Sequence, residues 1–529
     1  MSEHNGKPLP SKWAQAVLPA ISQINPRLDR KIESDDIVVD FVPMRAVEPE
    51  GGGLLRPEVA TYGKVKKGYT AFRSGDVIMA KITPCMENGK TCVVPDLPGA
   101  ACFGSTEFHV VRAEQGIDPR WIANYLLQHS TRYAAQRQMA GGVGQMRVPA
   151  SFLEKLSLPV APNAEQARIL DTLDELLSDL DAGVAALERV RAKLKQYRAA
   201  VLKATVEGEL TADWREKHPA TEHASDLLTR ILAERRRRWE EAQLQKFKDA
   251  GKTPPKDWKA KYPAPVAPDT TNLPPLAVGW CWATLSQLVW QLRSGSAETS
   301  GRVESNFPVL KSSAVRHGRI DFSDLNYYPQ SYIVRPENLL QPGDLLITRL
   351  SGSVDYVGCC AVVPENCSQG IQYPDRVFCG KLTSLTSATY LTYCFQSGVV
   401  RKVLEAAAKS TAGHQRISLS DLSPLALPLP PLHEQVAIVE AVEDQLSVVD
   451  HLESDIEART QSSSGLRQSI LRHAFTGQLV PQNLRDEPAS ELLKRIAAER
   501  EERQRQAQAE KNGKPKTKAL RKRTAKSSK

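Results

Sequence analysis

The sequence predicts an α+β fold laid out twice: two globular α+β modules, each followed by a long helix, in tandem. Three observations predict it: a gapless internal repeat, apolar seams at helical spacing, and short strand-like runs broken by Gly and Pro. Residues 147–210 align with 416–479 at a constant offset of 269. The matched pairs include Pro159 with Pro428, Pro162 with Pro431, Glu165-Gln166 with Glu434-Gln435, Asp181 with Asp450, Arg198 with Arg467 and Gly208 with Gly477. After a four-residue slip, Ser225 continues the match at Ser490. Upstream the likeness is looser: Gly75-Asp76 and the apolar run after it correspond to Gly343-Asp344, and Trp13 matches Trp280.

The elements follow in order. Residues 1–160 form the first globular module, with strand-like runs at 91–94 and 108–112 and a helix near 119–139. A helical stem over 161–216 comes next. Ile169, Leu173, Leu176, Leu180, Val184, Leu187, Val190, Leu194, Tyr197 and Val201 recur every three or four residues, the pattern of a coiled-coil seam. Pro159 and Pro162 stop the module before it, and Gly208 sits where the helix would end. Residues 217–270 hold a charged helix containing Arg235 to Arg238, then a stiff Pro-rich linker over 263–275. A solvated face is the default for that helix, with nucleic-acid or subunit contact as the alternative.

The second module spans 271–427, with strand-like runs at 359–363 and 376–382 and a helix near 387–409. The second stem, 428–484, repeats the seam through Val439, Val442, Leu446, Val449, Leu452 and Ile456 and resumes at Leu466 and Ile470. Polar Arg459 and Ser463 interrupt it, as a weakly packed stretch or a flexible joint. A charged helix over 485–510 and a basic tail over 511–529 that reads as disordered complete the chain. Each stem of about 40 residues would run on the order of 60 Å.

With 529 residues, 41% hydrophobic and 25% charged, the chain has room for roughly three or four domains. No stretch of about 18 apolar residues occurs and the N-terminus is polar, which argues against a membrane anchor or secretion. Nine cysteines form no C-x-x-C pair, so zinc and disulfide frameworks lose support and a reducing cytoplasm fits. The net charge of +9 resides in residues 511–529, which carry seven Lys, two Arg and no acid. The rest sums to zero, so only local patches can argue for nucleic acid.

No catalytic motif survives inspection. Gly89-Lys90-Thr91 resembles the end of a P-loop, but Pro84 stands where the leading Gly is required. No base-flipping methyltransferase tetrapeptide and no dinucleotide-binding glycine turn occurs. Pro374-Asp375 could open a nuclease signature, yet Cys379 occupies the place of its second acid before Lys381.

What remains is local charge and polar loops. In the first module Lys64, Lys66, Lys67, Arg73, Lys81 and Lys90 outnumber Asp76 and Glu87. In the second, Lys311, Arg316, His317 and Arg319 cluster, and Arg349 leads into a Ser-Gly-Ser turn. Gln145 and Arg147 of one Gly-rich segment correspond in place to His414, Gln415 and Arg416 of another. Arg, Gln and His can read base edges, and Gly lets a backbone approach phosphate, so these residues are the candidate DNA contacts. Tyr327-Tyr328 reads as packing more than as base stacking.

These residues carry a resemblance. The run 427–435 (Leu-Pro-Leu-Pro-Pro-Leu-His-Glu-Gln), the stem after it and 470–479 closely resemble the specificity subunits of type I restriction-modification enzymes. The first copy, 158–166 with 201–210, is similar, with Val160 and Ala161 departing from Leu-Pro. The resemblance covers nearly the whole chain apart from the basic tail. It implies a non-catalytic subunit in which each module, a target recognition domain, reads half of a bipartite asymmetric site in double-stranded DNA. The stems would pair antiparallel, relate the modules by a pseudo-twofold axis and dock two methyltransferase subunits, with Glu165, Gln166, Glu434 and Gln435 marking the docking entries.

Two restriction-translocase subunits would complete a restricting assembly; a modification-only assembly would lack them. S-adenosylmethionine, ATP and Mg2+ would belong to the partners, with no cofactor or metal in this chain. Half-site centres one helical turn apart, roughly 10 bp, would leave about six or seven unread pairs between them. A protein-only coiled-coil scaffold is the competing reading, and it would lack salt-dependent DNA affinity.

Overall fold

The computed structural model describes residues 8–27, 32–99, 101–142, 144–219, 222–411 and 413–513. The chain divides into two compact units, one built from 1–187 with 458–529 and the other from 188–457. Each unit therefore takes one head and part of both stems. The basic tail from 514 onward lies outside the described residues.

In the first unit the head centres on a four-stranded antiparallel sheet in the order Ser22–Ile24, Phe108–Ala113, Val77–Ala80, Thr91–Val93. Val77 pairs with Val111, and Ile78 with Val110. The central strand Val77–Ala80 is apolar and buried at every position because both faces are covered. Val77, Met79 and Val111 belong to the core shared with the stems, whereas Ile78, Phe108 and Val110 face a second core inside the head. Alternate residues of a strand point to opposite faces, so one unbroken apolar run serves two cores.

The second unit repeats this frame with Val289–Ser294, Val377–Leu382, Leu345–Thr348 and Cys360–Val362 in the same order. Leu345 and Ile347 pack toward its stems, and Leu346 and Cys379 into the head. In each head the first and last strands pair as a clasp at the stem entry, Ala14–Val17 with Ser157–Val160 and Cys281–Thr284 with Ala426–Leu429. The clasp prolines leave their carbonyls free for a buried ring: Trp121 donates to Pro159 (3.0 Å) and Tyr390 to Pro428 (2.9 Å).

Where one helix per module is expected from sequence there are two, Pro119–Leu127 with His129–Gln136 and Ala388–Gln396 with Gly398–Ala407. Gln128 and Ser397 leave the helical region (ψ 135° and 141°), and Ser397 then caps the second helix by accepting from Val400. The heads differ between the shared strands. The first inserts a sheet ordered Glu58–Thr61, Val38–Val42, Cys102–Gly104, Thr70–Phe72. The second inserts the hairpins Pro308–Leu310 with Leu325–Tyr327 and Val315–Arg316 with Arg319–Ile320.

The stem helices are Asn163–Glu207 and Leu432–Phe475. In the first unit Ile169, Leu170 and Leu173 share a core with Leu471 and Phe475, and Asp181 pairs with Arg467. In the second, Val201, Leu202 and Val206 share one with Ile438, Val442 and Leu446, while Arg198 pairs with Asp450 and Glu453. Early residues of one stem thus meet late residues of the other, an antiparallel pairing within each unit. The second stem is helical through 459–465, where Ser462 and Ser463 bond back to Ala458 (2.8 Å) and Thr460 (2.7 Å), so the polar stretch is a solvated length of helix.

The two charged helices, Ala224–Asp249 and Ala489–Gly513, pack on the heads. Leu227 and Ile231 of one and Leu492 and Ile496 of the other are buried. Arg235 donates to the carbonyls of Ser286 and Val289 (both 3.1 Å), and Arg500 correspondingly donates to that of Pro19. Along their own helix Arg236 pairs with Glu240, Arg237 with Glu234 and Glu241, and Arg238 with Glu234, while Arg238 also covers the Trp290 ring. The four-arginine run is thereby engaged with its own helix and head. Among the described residues no helix is long and apolar enough to cross a membrane.

Candidate nucleic-acid interface

Each head ends in a hairpin just before its stem entry, and the two hairpins occupy equivalent places. In the first, Ala140 and Arg147 exchange backbone hydrogen bonds (3.0 and 2.9 Å), and Gly141 and Gly144 take φ of +135° and +82°. A Cβ at Gly141 would stand 2.7 Å from the Gln145 carbonyl, so the tight tip requires glycine there. The hairpin is anchored to the strand end at 81–83: Val148 N–H donates to Lys81 O (2.8 Å) and Thr83 N–H to Met146 O (3.0 Å). Gln145 and Met146 are exposed on it.

Arg147 turns inward. Its Nε and Nη2 reach both oxygens of Glu107 (2.9 Å each), and its Nη1 donates to Gln145 O (3.0 Å). The Arg147 hydrogen bond holds the Glu107 carboxyl below the usual carboxylate range. Beneath the hairpin, His109 meets Val148 O at 2.8 Å and Asn25 Nδ2 at 3.2 Å, and burial lowers its pKa. It braces the fold as a neutral ring.

In the second head Lys409–Thr411 pairs with His414–Arg416, which also pairs with Leu350–Ser351. Gly413 makes the turn at φ +80°. Arg349 N–H donates to Arg376 O (2.8 Å) as Lys81 N–H does to Glu107 O (2.9 Å), and Ile417 N–H donates to Arg349 O (3.0 Å). The structure therefore brings together Lys81, Gln145 and Arg147 in one head and Arg349, His414, Gln415 and Arg416 in the other.

The remaining candidates lie elsewhere. Lys64 and Lys67 are exposed on the short helix Tyr62–Val65 and the turn after it, beside Lys66, which pairs with Asp35 (2.6 Å). Arg73 sits at the turn whose Asp76 forms a buried pair with Arg112 (2.8 Å). Lys90 donates to Met44 O (3.1 Å). In the second head Lys311 pairs with Asp324 (2.6 Å), Arg316 covers the Tyr356 ring at 4.5 Å, and Arg319 is exposed. Burial, then the charge of Arg401, lowers His317 to about 4, so it is neutral near pH 7 and unfit as a cationic phosphate contact. Tyr328 is buried and stacks on Tyr332 at 4.3 Å, which is packing.

Glu165, Gln166, Glu434 and Gln435 are all at most 2% exposed, so their side chains are not a docking surface. Glu434 accepts from Thr211 (2.8 Å), Arg215 (3.0 and 2.8 Å) and Trp280 (2.9 Å). Gln435 accepts from the N–H of Ser387, the cap of a head helix, and donates to Pro430 O (2.8 and 3.0 Å). Gln166 donates to Ala161 O (2.8 Å), and Glu165 accepts from Gln482 (2.5 Å). They tie stem to head. The residues that sequence reasoning missed are Glu107, Arg376 and Lys409. Glu107 and Arg376 stand at matching places directly before their strands, and that match is the signal that could have found them.

No protein-family profile matches the chain. Among curated proteins it is 29% identical over 514 residues to the EcoEI specificity subunit of Escherichia coli, a type I restriction enzyme, covering 87% of this chain and 82% of that one. It is 28% identical over 509 residues to the EcoKI specificity subunit of Escherichia coli strain K12, covering 93% and 96%. Both are type I specificity subunits, and the chain is similar to them over most of its length. A solved structure described as the basis of complex assembly and conformational transition in a type I R-M system shares its fold. That match has a TM-score of 0.60 and 18% identity, covering 89% of this chain and 100% of that one. The likeness to the two specificity subunits runs through both heads and both stems, so the duplicated frame lies within what is shared.

Proposed function

We propose that this specificity subunit is the non-catalytic DNA-recognition component of a type I restriction-modification assembly, each head reading one half of a bipartite site. The observation that carries the reading is the duplicated hairpin at the foot of each head, in a chain whose relatives match it from head to stem. A two-stranded ribbon fits the major groove, where all four base pairs present distinct donor and acceptor patterns. Gln145 and Gln415 carry side chains suited to bidentate contact with adenine.

Catalysis lies in partner subunits. In this reading two methyltransferase subunits dock on the stems and two restriction-translocase subunits join them, bringing S-adenosylmethionine, ATP and Mg2+. Docking is supported by apolar side chains left exposed along the stems: Leu176 and Leu466 in one unit, Val190, Val448 and Leu452 in the other. Binding by the chain with its methyltransferase partner, measured on random and selected duplexes at rising salt, tests the reading. Sequence-selective affinity that falls with salt is expected. Salt-insensitive or sequence-indifferent binding would favour a protein-only scaffold.

A further inference from the structure

The two heads carry the same hairpin but not the same charge at its foot. In the first head the foot joins Lys81, Glu107 and Arg147, and the arginine fork is spent on the glutamate. In the second head the same three backbone positions hold Arg349, Arg376 and Arg416. Lys409 stands opposite Arg416 in the pairing, where the first head has Ala140. The acids facing this foot are Asp375, whose carbonyl accepts from Arg349 (3.1 Å) and whose carboxylate is 4.0 Å from it, and Asp421, near Lys409 and Arg416. Four cations thus face two acids, and among the described residues neither Arg376 nor Arg416 forms an ion pair within 4.0 Å. Both are exposed.

An exposed guanidinium fork without a protein carboxylate matches a phosphate group, which can take two parallel N–H donors. Flanking the backbone of Arg349 on either side, such forks can take phosphates along one DNA strand. We propose that Arg349, Arg376 and Arg416 form a phosphate clamp beside the second half-site, and that the first head lacks its equivalent because Glu107 occupies Arg147. The inference rests on the DNA-recognition reading and adds an asymmetry to it: the second head anchors the duplex more strongly, while the first leans on its exposed hairpin tip.

The test uses the full chain assembled with its methyltransferase partner, with affinity for the cognate duplex measured against salt. Arg376→Ala and Arg416→Ala should each lower the log–log salt slope by roughly 0.9, the value for one lost phosphate contact. Arg376→Lys and Arg416→Lys, which keep the charge, should retain most of the slope and serve as folding controls. Glu107→Gln should raise the slope by freeing Arg147. The clamp is overturned if both alanine variants keep the wild-type slope while wild type still binds steeply and selectively. An unchanged slope in Glu107→Gln overturns the account of the first head. Wild type without salt-dependent selectivity would instead remove the DNA-recognition reading itself, and the clamp with it.

Discussion

Glu434 lies at the second stem entry with donors from Thr211, Arg215 and Trp280 on its two oxygens, joining the end of one stem, the start of the other and the residue that leads into the head's first strand. Removing one member of a buried, hydrogen-bonded charge pair leaves the other uncompensated. Glu434→Ala should therefore cost roughly 3–5 kcal/mol in urea unfolding. Its counterpart Glu165 is less well served: burial raises its pKa, against weaker support from Trp13 and Gln482. Because its folded pKa is raised, its penalty is full above that pKa and is relieved as pH falls through it. Glu165→Gln should be the milder substitution at neutral pH.

His317 makes a pH prediction of the opposite sign. Its folded pKa of about 4 lies below the ordinary value of about 6.5, so the unfolded chain takes up the proton first. Stability should fall as pH drops from about 6.5 to about 4, and thermal unfolding across pH should show that stretch flattened in His317→Asn. At this scale the sequence was only half readable. The Glu-Gln pairs stand out in both copies, but their burial depends on Trp280 and Arg215, which lie far away in the chain. His317 reads as one more basic residue until the fold covers it.

At the scale of elements, the stems end where glycine permits. Gly208 and Gly477 take φ of +76° and +69°, and a Cβ would meet Ala277 Cβ at 2.7 Å and Pro10 Cγ at 2.4 Å. Gly208→Ala and Gly477→Ala should each lower stability by more than about 1 kcal/mol, seen as a lower melting temperature, since both strain and contact oppose the new methyl. The helices were readable because apolar spacing, prolines and terminal glycines all point to the same bounds. The interruptions at Gln128 and Ser397 were not, since no proline marks either and only the second has a glycine beside it, Gly398. The hairpins could be located by their glycines, but not the neighbours that give each foot its charge, because those arrive from two other strands.

For the whole molecule, the duplication was the most readable feature, since 64 residues repeat without a gap from 147–210 to 416–479. What each head recognises was not readable, because the inserted segments between shared strands differ in topology as well as in sequence. If stem length sets the gap between half-sites, four residues added to both stems would lengthen each by about 6 Å, close to two base pairs at 3.4 Å. A recognised gap longer by about two base pairs is expected, read from the methylated sites of cells carrying the variant; an unchanged gap would remove the stems from that role.

The most direct measurement is genome-wide mapping of N6-methyladenine in cells carrying this chain with its methyltransferase partner, alongside chimeras in which residues 1–160 or 271–427 are exchanged for those of a relative. The account predicts a new motif of half-site, fixed gap and half-site, in which each exchange replaces one half and leaves the other. A motif unmoved by either exchange, or no new methylation with the partner expressed and bound, would contradict it.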